Sequence, residues 1–254
     1  RSAEEGARLL AAEWALDDRD APRALAMLSE LPVGVARRTH ALRLRLQATR
    51  LGRQPQDALK TARLLAKHQG FSKVAAQGLL RSLAFESIDT AYDADQLRAA
   101  WQQFDALDRR DAFVVAHAAT RAAALGARDE ARAWLRPFWD RLGELDADER
   151  TRIALALVAT VEGIGLEWLP RLESASQQFP REGAIALAVG CALADRQLWG
   201  KARRQLEQAA ADTALAAPAR CTAWVALARL AREQDDEARA AACFEQAARA
   251  AAGA

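Results

Sequence analysis

This sequence predicts an all-α fold, an array of antiparallel helix pairs, and three observations carry that prediction. Alanine fills 64 of the 254 positions, and Leu, Arg, Gln and Glu supply much of the remainder. These are strong helix formers, whereas the β-favouring Val, Ile, Thr and Tyr are scarce. A small residue recurs in one local setting at Ala24, Ala58, Ala131, Ala202 and Ala240, at steps of 34, 73, 71 and 38 residues. The stretch Trp224-Val-Ala-Leu227-Ala228-Arg-Leu-Ala231, followed by Ala240-Ala-Ala-Cys-Phe244-Glu-Gln-Ala247, sets large residues against small ones at helical spacing.

The steps place the elements in order. Thirty-four residues is the tetratricopeptide period, and the large–small pattern of the last stretch matches that repeat. Gaps of 73 and 71 residues hold two periods and a short insertion, so one further unit lies in each. The 38-residue step places its extra residues in the loop around Asp212 to Pro218. The expected architecture is a tetratricopeptide-like right-handed solenoid of about seven antiparallel helix pairs. It forms one array over residues 1–254, with units near 2–32, 36–69, 71–108, 110–142, 146–179, 181–212 and 217–251. The first, third and fifth units depart most from the pattern.

Punctuation supports this division. Leu31-Pro32, Phe179-Pro180 and Ala217-Pro218 fall between units, where proline closes one pair before the next. Leu51-Gly52, Leu125-Gly126 and Leu198-Trp199-Gly200 fall at turns inside units. Asp17, Asp18, Asp235 and Asp236 sit at turns, where they are expected to start helices. Trp14, Trp101, Trp134, Trp139, Trp168, Trp199 and Trp224 read as packing knobs, with Trp134, Phe138 and Trp139 wedging between units around Pro137. One pair cannot bury its apolar stripe alone, so neighbours stack and share a core. The first helix of each unit then lines a concave face.

Composition bounds the remaining classes. No apolar run reaches the roughly 18 residues of a bilayer span, and no secretory signal pattern is present. The chain opens on Arg1 rather than Met and reads as a soluble segment of something longer. Cys191, Cys221 and Cys243 are odd in number and lack Cys-x-x-Cys spacing, which argues against a disulfide framework and fits a reducing compartment. Net charge is only +2, yet between Leu31 and Phe85 eleven Lys or Arg face one acid, Asp57. From Glu86 to Asp111 seven acids stand against three bases. Such a separation concerns partners rather than fold.

Candidate site residues follow from helical spacing. His40, Arg43, Gln47 and Arg50 share one face of a helix, with Leu42, Leu46 and Thr49 on a neighbouring face. The polar set maps to the concave side as an anion-binding stripe, since planar guanidinium forks grip carboxylates bidentately. Those carboxylates belong either to a partner's acidic segment or to porphyrin propionates; a solvated cationic face is the plainer alternative. Phe113, His117 and Thr120 map to the concave side of the fourth unit. A haem reading makes His117 an axial ligand; a helix-packing role is the ordinary one. His68 falls at a helix end, where capping is expected. The histidines have no zinc spacing, and Cys191 reads as a buried small thiol with a groove-facing alternative. Ser-His-Asp order, a paired carboxylate site and a P-loop are all missing from the sequence, so no catalytic set is expected. The basic stretch has few aromatics for stacking and no recognition motif, which disfavours nucleic acid. An acidic membrane surface fits it better.

At Trp168-Leu-Pro-Arg-Leu-Glu173, Gln178-Phe-Pro-Arg181 and Val189-Gly-Cys-Ala-Leu-Ala-Asp-Arg-Gln-Leu-Trp-Gly-Lys-Ala-Arg203, the chain resembles the HemY family, proteobacterial proteins associated with haem biosynthesis. The stretch Thr39 to Lys67 looks like an earlier repeat of that family. The resemblance implies two N-terminal membrane spans, absent from this chain, followed by a tetratricopeptide region. It implies an inner-membrane protein tied to late porphyrin and haem steps, and it supplies no catalytic residues. The unrelated flavin-dependent protoporphyrinogen oxidases that have shared the name carry a Gly-rich dinucleotide fingerprint that this chain lacks. The expected function is a non-catalytic scaffold for late haem-biosynthesis enzymes, without cofactor. The alternative is a haem or porphyrin carrier. Free cysteines and the basic N-terminal half favour the cytoplasmic side, and exposed terminal helices allow an end-to-end homodimer.

Overall fold

A computed structural model describes residues 2–68 and 71–252, and among the described residues the chain is helical with no strand. The helices are α1 (Ser2–Asp17), α2 (Ala21–Ser29), the single turn α3 (Val33–Ala36), α4 (Thr39–Leu51), α5 (Pro55–Lys67), α6 (Lys73–Asp89), α7 (Ala94–Gln102) and α8 (Ala112–Ala124). They continue as α9 (Arg128–Trp139), α10 (Ala147–Val158), α11 (Leu169–Gln178), α12 (Gly183–Asp195), α13 (Trp199–Ala211), α14 (Ala217–Glu233) and α15 (Glu237–Ala252). They form two compact units, Arg1–Arg109 and Arg110–Ala254.

One turn recurs inside five helix pairs. Arg19, Arg53, Gly126, Gln197 and Asp235 all have positive φ, and each lies two residues before the second helix of its pair. The next residue donates its N–H back five positions: Asp20 to Ala15 O (2.7 Å), Gln54 to Thr49 O (2.8 Å), Ala127 to Ala122 O (2.8 Å), Leu198 to Leu193 O (2.9 Å) and Asp236 to Ala231 O (3.0 Å). This is the six-to-one bond of a Schellman cap, which satisfies a carbonyl that the helix end would leave open. Ala24, Ala58, Ala131, Ala202 and Ala240 each occupy the fourth position of the following helix, at most 1% exposed. A methyl there lets the second helix lie close against its neighbours.

Gly52 and Gly126 fall at turns inside units as expected, whereas Gly200 lies inside α13; the left-handed position is held by Gly126 (φ 82°) and, at the equivalent turns, by Arg53 and Gln197. Other local expectations are corrected. Helix starts are capped by Asp20, Asp93, Asp111 and Asp146, the last in a reciprocal box with Glu149. Asp236 caps α15 by accepting from the Arg239 N–H (3.0 Å), whereas Asp17 and Asp18 lie at the end of the α1 side of the turn and cap nothing. His68 is the C-cap residue of α5, as its position suggests. Trp14 is 61% exposed and so is no packing knob; Trp139 and Trp168 are, meeting edge to face with ring centroids 6.3 Å apart.

In the first unit α1, α2 and α4 share a core of Ala12, Leu16, Ala24, Leu28 and Leu44, and α5 packs on α4 and α6. Arg63 on α5 links the basic and acidic stretches: it pairs with Asp108 and, at 3.3 Å, with Asp105. Burial draws this guanidinium below its ordinary value, with Asp105 opposing.

In the second unit α12 is the central helix. Every residue from Gly183 to Gly190 is buried, because α12 packs against α10, α11, α13 and α14. A helix apolar all round needs such enclosure. A Cβ on Gly190 would lie 2.7 Å from Leu206 Cγ, so glycine permits this α12–α13 approach. Polar links between successive pairs recur at nearly constant sequence offset. Trp139 Nε1 donates to Arg171 O (3.2 Å), 32 residues on. Arg150 Nη2 donates to Glu182 Oε1 (2.6 Å), also 32 on. Gln205 Nε2 donates to Ser176 Oγ (3.0 Å), 29 back, and Arg239 reaches Glu207 (2.5 Å), 32 back. The hydrogen bonds to Glu182 raise the Arg150 pKa, and its guanidinium also stacks on Phe179 at 4.7 Å.

Candidate functional site

In the first unit a cleft of ≈ 720 Å³ opens on one face of α4. Arg43, Gln47 and Arg50 line it above Leu46 and Leu51, with Phe71 and Glu86 opposite. The helical repeat stacks residues 43, 47 and 50 along one side, so the structure brings together three of the four residues singled out on this helix. His40 lies elsewhere: its Nε2 is 2.9 Å from Glu13 Oε1 on α1, which gives it a packing partner outside the cleft. Glu86 completes the cleft and was missed from the sequence. Its signal was available, since it is the first acid after the basic run. Arginine forks beside a carboxylate and an aromatic ring can hold a segment that carries both charges.

Phe113, His117 and Thr120 lie along α8. The Phe113 ring lies 5.8 Å from the Arg152 guanidinium of α10. Thr120 Oγ1 donates to Ala116 O (2.9 Å) of its own helix, and His117 is half-buried between them. The cleft of the second unit lies on other helices. It measures ≈ 670 Å³ and is lined by the C-terminal ends of α10 and α12 and by one face of α14. Ala159, Ala194 and Ala226 leave the space, and Val161, Trp199, Val225 and Leu230 give it apolar walls. Arg128 bridges to Glu162 (2.7 Å) at one edge, and Asp195 accepts the Gly163 N–H (3.1 Å). Arg229 and Glu233, one turn apart on α14, supply the charge of the opposite wall.

Two thiols, Cys191 and Cys221, line the same cleft. Burial pushes the Cys191 thiol up to about 12, with Arg229 opposing, so it is protonated and unreactive at neutral pH. Sequence reading left this cleft unassigned because its polar residues are spread over three helices with no local spacing to mark them. Among the described residues no group of three His, Cys, Asp or Glu is placed to hold a metal ion, and no helix is long and apolar enough to cross a membrane. No known protein family matches this chain, and no curated protein matches it.

Proposed function

We propose that the chain is a tetratricopeptide-like array of about seven helix pairs that binds a segment of a partner protein and carries out no chemistry itself. The observation that supports this reading is that these two clefts are lined mainly by first helices of the pairs, α4 with α6 in one unit and α10, α12 and α14 in the other, with Arg128 and Trp199 added from the starts of α9 and α13. Each combines apolar walls with charges of both signs, a makeup that suits a segment of another protein. Arg43 and Arg50 are the anchors for acidic side chains of the partner, and the cleft of the second unit takes apolar ones. The HemY resemblance makes that partner an enzyme of late haem synthesis at the inner membrane. Isothermal titration of the folded domain against purified late-pathway enzymes tests the proposal; binding by none of them removes it.

A haem or porphyrin carrier is the second reading, favoured by Arg43 and Arg50 standing over Leu46 and Phe71, a pairing of cations and apolar surface that suits propionates on a macrocycle. Absorbance titration with haem, repeated on Arg43→Glu and His117→Ala, separates the two. An unchanged spectrum and affinity in both variants rules out these residues as the haem site.

A further inference from the structure

A second pocket of the first unit, ≈ 410 Å³, lies on the opposite side of α4, between the α2–α3 segment and α5. Arg45 lines it, and two helical positions separate Arg45 from Arg43, a rotation of about 200°. We propose that this pocket takes the phosphate of an acidic phospholipid headgroup, so that the first unit rests on a bilayer surface by this face.

Charge makes the first argument. Arg37, Arg45 and Lys60 converge on the pocket, while Asp57 is the one acid lining it and stands 3.8 Å from Lys60. Arg37 and Arg45 have no carboxylate within ion-pair distance among the described residues. Some arginines elsewhere do find a carboxylate, as at Arg8, Arg63, Arg128, Arg150 and Arg171. Three cations against one carboxylate leave the pocket with a net positive charge, which attracts an anion.

The rim makes the second. Val33 is 70% exposed and Leu64 is 40% exposed, beside a floor of buried Leu28, Leu31 and Leu42. Lys60, Leu64 and Lys67 follow one another along a single face of α5. Exposed branched aliphatics flanked by bases form the pattern of a surface that enters the headgroup layer. Size makes the third: this volume suits one headgroup rather than a length of partner helix. The proposal does not rest on the partner clefts.

The test is co-sedimentation of the folded domain with phosphatidylcholine vesicles containing phosphatidylglycerol, against pure phosphatidylcholine. At about a tenfold gain per 1.4 kcal/mol and roughly 1 kcal/mol per base, Arg37→Gln/Arg45→Gln/Lys60→Gln weakens binding to the anionic vesicles by about a hundredfold. The equal charge loss Arg43→Gln/Arg50→Gln/Arg53→Gln is expected to weaken it far less. Val33→Ser/Leu64→Ser lowers binding at constant charge, and all variants keep the far-UV spectrum of the parent. Equal loss in both triple variants overturns the proposal in favour of diffuse attraction. So does full competition by soluble glycerol phosphate with no effect of Val33→Ser/Leu64→Ser, which marks a free phosphate ligand. Binding to an acidic peptide but not to anionic vesicles overturns it as well.

Discussion

Replacing Arg132 by methionine should remove one of the main ties between successive pairs in the second unit. Its side chain is 7% exposed, and its guanidinium donates to the carbonyls of Thr160, of Glu162 (3.1 Å) and of Gly163 (3.4 Å), while pairing with Asp129. These carbonyls belong to the irregular segment between α10 and α11, so one side chain of α9 shapes a loop 28 to 31 residues away. Methionine keeps the aliphatic volume and isolates the polar loss. Thr160 is 0% exposed, and water cannot readily replace its partner. A bond from a charged donor to such an acceptor contributes about 2 kcal/mol, and the two solvent-facing carbonyls about 0.5 kcal/mol each. These values come from mutational differences and so already include the desolvation of the arginine, while Asp129, 97% exposed, adds little. The expected loss is therefore about 3 kcal/mol, read as urea unfolding followed by far-UV circular dichroism. Lysine has one compact ammonium and should recover only about 1 kcal/mol. A loss below about 1 kcal/mol for Arg132→Met, or full rescue by lysine, refutes the reasoning.

Other perturbations probe the turns, the helix contacts and the thiols. Gly126→Ala forces a side chain into the left-handed region with nothing near its Cβ, so strain alone should cost about 1 kcal/mol, whereas Gln197→Gly at the equivalent turn should cost nothing or stabilise slightly; thermal unfolding compares them. Gly190→Val drives a side chain into fully buried Leu206 and should destabilise by about 2 kcal/mol in the same assay, a neutral result being incompatible with the α12–α13 approach. Maleimide labelling at pH 8 should find Cys191 the slower of the two cleft thiols, because burial suppresses its thiolate. The Cys191 pKa is raised on folding from the ordinary 9.0 to about 12, so its contribution is complete below pH 9 and is lost as pH rises from there towards 12. Stability of the parent should fall over that window more than stability of Cys191→Ala.

The helices and the turn phase were legible because they follow from local chemistry. Alanine at 24, 58, 131, 202 and 240 marks positions where only a small side chain fits, and the spacing survives insertions elsewhere. The Arg43, Gln47 and Arg50 face was legible for a similar reason: one helix carries all three, and helical periodicity alone aligns them. His40 misled because the same periodicity says nothing about α1, whose Glu13 claims it. The positive φ at Arg53 and Gln197 was not legible, because an ordinary residue holds it beside the cap hydrogen bond and no glycine marks it. The cleft of the second unit and the Arg132 tie were illegible for a different reason. They join segments about 30 positions apart that meet only through stacking, which no local pattern records.

Site-specific photo-cross-linking on the full-length protein in its native host addresses the central claim most directly. A photoreactive residue at Gln47 or at Val225 samples the two clefts, and one at Gln246 on exposed α15 serves as the control. The account predicts cross-links from Gln47 and Val225 to peptides of a late haem-biosynthesis enzyme, lost in Arg43→Glu/Arg50→Glu at the first position and absent from Gln246. Cross-links that are as frequent from Gln246, or none from either cleft, would contradict it.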